Sequence, residues 1–290
     1  MSIKCPFCKS ENTKFYLKLK DYFLTQEDFE IFECDDCKLL FTSPRPDASV
    51  IGKYYKSDDY LSHNEHKKGI IPWIYGQVKK VNIRYKYKIA CGGYTNPHLL
   101  DFGCGVGDFL HFAQKKGCKI TGCDMNENAR VTASKKLNVN IVPPEEIFTL
   151  PHSTFDIITM WHVLEHIDKL AYHAEQLHRL LKKNGRLVIA VPNYKSYDAE
   201  YYKDKWAAYD VPRHLNHFNK ESLQNILSEK FNLEKIYPLK WDAYYISMMS
   251  ENHLGNKNSF MKGIKVGRKS NKTAKTTGEY SSLIYVFQKL

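Results

Sequence analysis

The chain has 290 residues, 43% hydrophobic and 26% charged, a balance that excludes wholesale disorder and a long coiled coil. It shows neither a run of roughly eighteen apolar residues nor a secretion-type leader, so the expectation is a cytoplasmic protein without a membrane span. The 43 Lys and Arg against 32 Asp and Glu leave a net charge of +11, which keeps polyanionic partners open.

Four cysteines open the chain. Cys5-Pro6-Phe7-Cys8 and Cys34-Asp35-Asp36-Cys37 are two Cys-x-x-Cys pairs with twenty-five residues between them. Together they supply four sulfurs for a tetrahedral Zn2+, a closed and therefore structural site. Redox pairs come singly beside a βαβ unit, and these two precede any such unit. Short alternating strands are expected at 15–19 and 29–33, so residues 1–45 read as a zinc ribbon. So small a unit buries too little apolar surface to fold without its metal. Cys91, Cys104, Cys118 and Cys123 are scattered and read as reduced thiols, which fits a reducing compartment.

Ser43-Pro44-Arg45-Pro46 breaks regular structure, and 46–97 follows as a helical, basic linker or cap. Lys67, Lys68, Lys79, Lys80, Arg84, Lys86 and Lys88 interleave there with Trp73, Tyr75, Tyr85 and Tyr87, and no acid lies between Lys67 and Lys88. A solvated helix with buried aromatics explains this better than a nucleic-acid face.

From 98 to 290 the pattern alternates strand and helix. Strands are expected at 98–102, 119–123, 139–142, 155–160 and 186–191, with helices at 108–116 and 129–137. A further helix carries Ile167, Leu170, Ala174, Leu177 and Leu181 at three-and-four spacing. This grammar specifies an α/β fold, a Rossmann-like doubly wound sheet. Residues 194–219 read as an irregular lid insertion, 222–230 as a helix, 233–237 as a strand and 282–287 as a last strand. The stretch 255–278 carries seven Lys and Arg and no acid, and it is expected to be a disordered basic loop.

Asp101-Phe102-Gly103-Cys104-Gly105-Val106-Gly107 lies where the first strand of this region turns into its first helix. Its glycines allow a tight bend and a close approach to a ligand. Asp124 ends the next strand, where an acid accepts hydrogen bonds from ribose hydroxyls. A dinucleotide loop would place its third glycine at 108, but Asp108 stands there and would repel a pyrophosphate at the helix N-terminus. The ligand should therefore lack phosphates. S-adenosylmethionine, with an amine, a sulfonium and a ribose, fits that requirement better than NAD, and Asp101 suits its cationic amine.

On these segments, with Phe155-Asp156-Ile157-Ile158 and Leu181-Lys182-Lys183-Asn184-Gly185-Arg186-Leu187, the region resembles class I S-adenosylmethionine-dependent methyltransferases. The resemblance implies a seven-stranded sheet whose last strand is antiparallel. It also implies a cofactor cleft in which Gly103, Cys104 and Gly105 meet the methionine part, Asp124 the ribose and Met125 the adenine. Glu145 or Glu146 would lie by the adenine amine, and Trp161 and His162 would flank the cofactor.

The segment Trp161-His162-Val163-Leu164-Glu165-His166 is similar to quinone-type O-methyltransferases, in which a Glu and a His are linked to a divalent ion. That implies such a role for Glu165 and His166, beside the plainer reading that they orient the next helix. Tyr209-Asp210-Val211-Pro212-Arg213-His214-Leu215-Asn216-His217-Phe218 resembles part of the sugar methyltransferases that begin with a zinc-binding domain. This places a catalytic base at His214, with Tyr209 and His166 as further candidates, and histidine's titration range suits proton removal from a hydroxyl. Tyr60 and His63 resemble the segment that covers the cofactor in those enzymes. The expected function is methyl transfer to a small molecule, a sugar or nucleotide-linked sugar or a cell-envelope precursor, phosphorylated substrates included. The alternatives are an RNA methyltransferase gripping phosphates with its basic segments, and a non-catalytic protein that keeps the fold. The first lacks the Asn/Asp-Pro-Pro-aromatic clamp.

Overall fold

A computed structural model describes residues 3–47, 50–55 and 70–290, with backbone alone at 70–75. Strands β1 (Thr13–Lys20), β2 (Asp28–Cys34) and β3 (Leu40–Ser43) form an antiparallel ribbon. Helix α1 (Ile70–Cys91) leads into β4 (His98–Phe102), α2 (Asp108–Lys115), β5 (Lys119–Cys123) and α3 (Glu127–Leu137). A single turn of helix, α4 (Pro144–Ile147), precedes β6 (Phe155–Trp161), α5 (Leu170–Leu180) and β7 (Leu181–Pro192). Then come α6 (Tyr197–Tyr202), β8 (Asn216–His217), α7 (Lys220–Leu227) and β9 (Phe231–Pro238). Helices α8 (Asp242–His253) and α9 (Ser259–Thr277) precede β10 (Ser282–Lys289).

The central sheet runs β5-β4-β6-β7-β10-β9. Its first four strands are parallel, and β10 is antiparallel to both its neighbours, as the resemblance implies. The middles of β4, β6 and β7 are buried on both faces and are mostly apolar: Leu99, Leu100, Ile157, Ile158, Met160 and residues 187–191. Where 139–142 is expected to add a seventh strand, only Val142 makes a single parallel bridge, to Cys123.

The ribbon is sewn onto this sheet. β3 pairs with β8, and Phe218, the next residue, bridges to Asn193 at the end of β7. Cys5, Cys34, Cys37, Leu39 and Phe41 share one apolar cluster with the interior of the central sheet. Burial of that shared surface supplies cohesion that the ribbon lacks alone.

Two segments differ from their sequence-based expectations. The stretch 194–219 is interior: Trp206 and Tyr209 join Phe29, Ile31, Ile246 and Val266 in one buried cluster. Asp198, fully buried, accepts hydrogen bonds from Trp206 Nε1 (2.8 Å), Ser270 Oγ (2.7 Å) and Ser281 Oγ (2.6 Å), and so ties α6, α9 and the start of β10 together. The expected disordered loop at 255–278 is instead mostly helix α9. Its inner face is Gly263, Val266, Gly267, Ser270 and Ala274, small residues that give little hydrophobic signal. They let α9 lie close against α8: a Cβ on Gly263 would stand 2.6 Å from Met248 Cα, and one on Gly267 2.8 Å from the Ala243 carbonyl oxygen.

Candidate functional site

The loop after β4 is built around carboxylate and carbonyl acceptors. Gly103 and Cys104 both donate their backbone N–H to the carbonyl of Cys123, at 2.9 Å each. Asp124 accepts from Gly105 N (2.8 Å) through one oxygen and from Asn126 N (2.9 Å) through the other. The loop and the end of β5 are thus locked to each other at the carboxyl edge of the sheet, where ligands bind in such folds. The glycines have distinct tasks. At Gly103 (φ +77°) a Cβ would come within 2.4 Å of Val163, so this glycine permits close packing. At Gly105 (φ +52°) a Cβ would meet nothing within 4 Å, so its backbone faces open space.

Asp101 is buried and accepts from Thr159 Oγ1 at 2.7 Å. Burial pushes its carboxyl up to about 7, well above the ordinary carboxylate range. Met125 is 73% exposed beside Asp124. Glu145 and Glu146 sit on α4 and are exposed; of the two, Glu145 acts electrostatically on Cys123 and His173. Trp161 packs edge-on against Phe109 (5.1 Å between centroids) and lies under Lys86 Nζ (4.8 Å). Tyr60 and His63 lie outside the described residues.

Beyond β6 the chain bends through His162, in the left-handed region at φ +58°. His162 Nε2 meets Asp242 Oδ2 at 3.0 Å, and Nδ1 faces Glu165 Oε1 at 3.4 Å. Burial opposes the charged ring, but these two carboxylates prevail and raise it to about 9. His162 is therefore an imidazolium in a structural ion pair. Burial would push the Glu165 carboxyl up as well, yet His162 holds it below its usual range. Neither Glu165 oxygen is within hydrogen-bond geometry of a described partner, an uncommon state for a buried carboxylate.

The 3₁₀ turn Leu164–His166 brings His166 against His214, with ring centroids 4.6 Å apart. His166 Nδ1 is 3.0 Å from the Arg213 carbonyl, and His214 Nδ1 is 2.8 Å from that of Ala208. A carbonyl only accepts, so both rings carry a proton on Nδ1, which leaves Nε2 of each as the ring atom that can meet a ligand or substrate. Burial, reinforced by His214, lowers His166 to about 4, so it is neutral at pH 7. Glu165, His166 and His214 offer an oxygen and two nitrogens within 4.8 Å of one another, a set suited to a divalent cation as much as to a proton relay. Val163 touches the Gly103 position, which places this cluster one turn of chain from the cofactor loop.

Tyr209 stands apart. Its ring packs on Trp206 (5.0 Å) and His217 (5.3 Å), and burial raises its phenol well above 10. His217 faces Thr42 Oγ1 at 3.0 Å and is held neutral by burial. His166 is thus the candidate that the fold brings to His214.

Sequence reasoning missed the group that positions the histidines. Arg213, fully buried, donates through Nε to both oxygens of Asp210 (3.1 and 3.0 Å) and through one terminal nitrogen to the Tyr54 carbonyl (3.0 Å). Its other terminal nitrogen reaches Asp21 (2.8 Å) and Asp210 (2.6 Å). Asp21 also accepts from Phe23 N, Leu24 N, Thr25 N and Thr25 Oγ1. The guanidinium thus joins the β1–β2 loop and the 51–55 turn to the residue before His214. Its signal in the sequence was only an Arg between a Pro and a His.

At the other end of the ribbon, Cys5, Cys8, Cys34 and Cys37 converge, their sulfurs all within 4.8 Å. Cys5 and Cys37 are 3.6 Å apart, Cys8 and Cys34 3.5 Å. A disulfide requires about 2.05 Å, whereas a tetrahedral ion with bonds of about 2.3 Å sets sulfurs roughly 3.8 Å apart. A hydrogen bond from Cys37 pulls the Cys5 thiol down to about 5. The four sulfurs fit a metal ion and not a pair of disulfides.

The methyltransferase-domain family model matches residues 83–237. The ubiquinone biosynthesis O-methyltransferase of Coxiella burnetii is 33% identical over 123 residues, covering 40% of this chain and 53% of that protein. The enzyme of the same name from Alkalilimnicola ehrlichii is 28% identical over 119 residues, 38% and 48% of the two chains. The chain thus spans about half the length of these curated relatives. Among solved structures, a SAM-dependent methyltransferase from Archaeoglobus fulgidus superposes with a TM-score of 0.51 at 21% identity, over 73% of this chain and 94% of that one. Geranyl diphosphate C-methyltransferase from Streptomyces coelicolor, solved with S-adenosyl-L-homocysteine, gives 0.54 at 13% identity, over 81% and 85%. These likenesses establish the fold. With more than half of its length matched, and with the loop, the acid and the strand order that the fold requires, this chain belongs to the methyltransferase-domain family.

Proposed function

We propose that this protein transfers a methyl group from S-adenosylmethionine to a hydroxyl oxygen of a small molecule. The observation that carries the reading is the placement of two facing histidines, His166 and His214, one turn of chain from a glycine loop locked to Asp124. The relatives named for O-methylation support an oxygen acceptor. A bound S-adenosylmethionine supplies an electrophilic methyl on a sulfonium. Asp124 would hold the ribose and Asp101 the amine, while Gly105 leaves room for the methionine backbone. The acceptor O–H would give its proton to Nε2 of His214 as its oxygen takes the methyl, the leaving group that a bound sulfonium would supply being a neutral thioether. Asp210, whose Oδ2 lies 4.0 Å from His214 Nε2, balances the charge that this proton brings.

A sugar, nucleotide-linked sugar or related cell-envelope precursor is the acceptor class proposed first, with a catechol-type ring of the quinone pathway as its rival. The four-cysteine cluster is proposed to hold a structural Zn2+, and the protein to work in the cytoplasm. The test is a methyl-transfer screen over nucleotide sugars, polyphenols and total RNA, read by mass spectrometry. Product carrying one added methyl on a small-molecule oxygen, lost in His214→Ala, supports the proposal. Transfer to RNA alone, or undiminished turnover by His214→Ala, overturns it.

A further inference from the structure

Helix α9 is held firmly on one side and strongly charged on the other. Its inner stripe, Gly263, Val266, Gly267, Ser270 and Ala274, is pressed onto α8. With about 3.6 residues per turn, Met261, Lys265, Arg268, Lys272 and Lys275 fall within roughly 80° of one another on the opposite side, and all five are exposed. Lys262 and Lys269 flank the stripe, and Lys257 precedes it. No acid lies between Glu251 and Glu279 in the sequence. Among the described residues, none of these seven cations has a carboxylate within 4.0 Å; Lys262 bonds only the Asn256 amide (3.0 Å), and Lys269 lies over the Tyr197 ring (4.8 Å). Six like charges kept on a rigid helix, with Lys257 just before it, repel one another without a carboxylate to offset them, whereas elsewhere Lys79 pairs with Asp108 and Lys220 with Glu279.

The end of the helix near α8's C-terminus is apolar. Leu254, Phe260 and Met261 are 47%, 43% and 66% exposed. We propose that this face docks the protein on an anionic membrane surface, with the cations against lipid phosphates and Phe260 and Met261 entering the headgroup boundary. A polybasic face is drawn to anionic lipid by charge, and exposed apolar residues at its head add burial at the headgroup boundary. Nucleic acid is the poorer fit, because single-strand binding interleaves aromatic rings with the cations and α9 holds no aromatic residue after Phe260. Among the described residues no helix is long and apolar enough to cross a bilayer, so contact is peripheral. The proposal stands whether or not the methyl acceptor is lipid-borne.

The test is sedimentation of the full chain with vesicles of phosphatidylcholine alone or mixed with phosphatidylglycerol, at low and high salt, with polyuridylate binding measured in parallel. Binding is expected to rise with the anionic fraction and to fall with salt. Each basic residue at such a surface strengthens adsorption about fivefold, so Lys265→Glu with Arg268→Glu and Lys272→Glu should weaken it about a hundredfold or more. Phe260→Ser with Met261→Ser should weaken it further without altering its salt dependence. These positions are exposed, so unchanged circular dichroism serves as the folding control. The wild-type series alone decides the matter if a variant misfolds. Equal binding to neutral and anionic vesicles, or no vesicle binding, overturns the proposal. So does a triple variant that loses polyuridylate binding while keeping its hold on vesicles.

Discussion

Replacing Arg213 by Met is the most revealing perturbation of this molecule. The guanidinium is 1% exposed, and its removal leaves Asp21, 0% exposed, without a counter-ion. Breaking a buried pair from one side costs about 3–5 kcal/mol. Four further donors still solvate Asp21, which places its share near the lower bound. The Tyr54 carbonyl also loses its donor, at about 1 kcal/mol. The sum is about 4 kcal/mol. At about 2.1 cal/mol/K per residue, a chain this long would melt roughly 6–7 °C lower. Arg213→Lys keeps the charge without the fork and should lose about half of this. Acidity provides a second readout: burial pushes both carboxyls up, but Arg213 holds Asp21 and Asp210 below the usual range. That stabilisation is present above the ordinary carboxylate pKa and is lost as pH falls through the depressed values. The wild-type advantage over Arg213→Met should therefore shrink below about pH 4. Because the residue adjoins His214, kcat should fall more than KM changes. Urea and thermal unfolding of the three proteins between pH 3 and 8 would show this. A variant within about 1 kcal/mol of wild type at pH 7 would refute the reasoning.

Gly103→Ala and Gly105→Ala should separate packing from binding. The first drives a Cβ into Val163 and should destabilise by about 1–3 kcal/mol. The second, with open space around it, should cost about 1–2 kcal/mol for its backbone alone while sharply weakening cofactor binding by calorimetry. Asp101 titrates near 7 and must be ionised to receive an amine, so affinity for S-adenosylmethionine should climb as pH rises from 6 to 8; a flat profile would remove Asp101 from that role. His162, raised to about 9, contributes stability that is complete below its unfolded value near 6.5 and is lost as pH rises through 9. Asp242→Asn should abolish that slope in thermal melts. Chelation should extract one zinc per chain and disturb His214, because β3 is hydrogen-bonded to that loop: Thr42 Oγ1 donates to the His214 carbonyl at 2.7 Å. Metal analysis that finds no zinc in the purified protein would exclude this.

The parts legible in the sequence are those whose physics is local. β4, β6 and the 186–191 part of β7 were legible because the middle of a strand covered on both faces must be largely apolar, whereas Leu181, expected in the preceding helix, opens β7. The loop after β4 announces itself through glycines whose φ is positive, and the four cysteines through their spacing. Helix α9 was illegible because close packing onto α8 selects Gly, Ser and Ala, residues that carry almost no hydrophobic period. The pairings around the candidate site were hidden for a different reason. Arg213 and Asp21 lie 192 positions apart, and His162 finds Asp242 only after β9 has crossed the sheet. Nothing in either neighbourhood specifies the partner. His166 was legible as a candidate, but its proximity to His214 required the fold.

Calorimetric titration of the full chain with S-adenosylmethionine, repeated with NADH and with Asp124→Ala, probes the central claim most directly. A single saturable site for the sulfonium compound, lost in the variant and absent for the dinucleotide, is the predicted outcome. Heat from NADH alone, or none from either ligand, would contradict it.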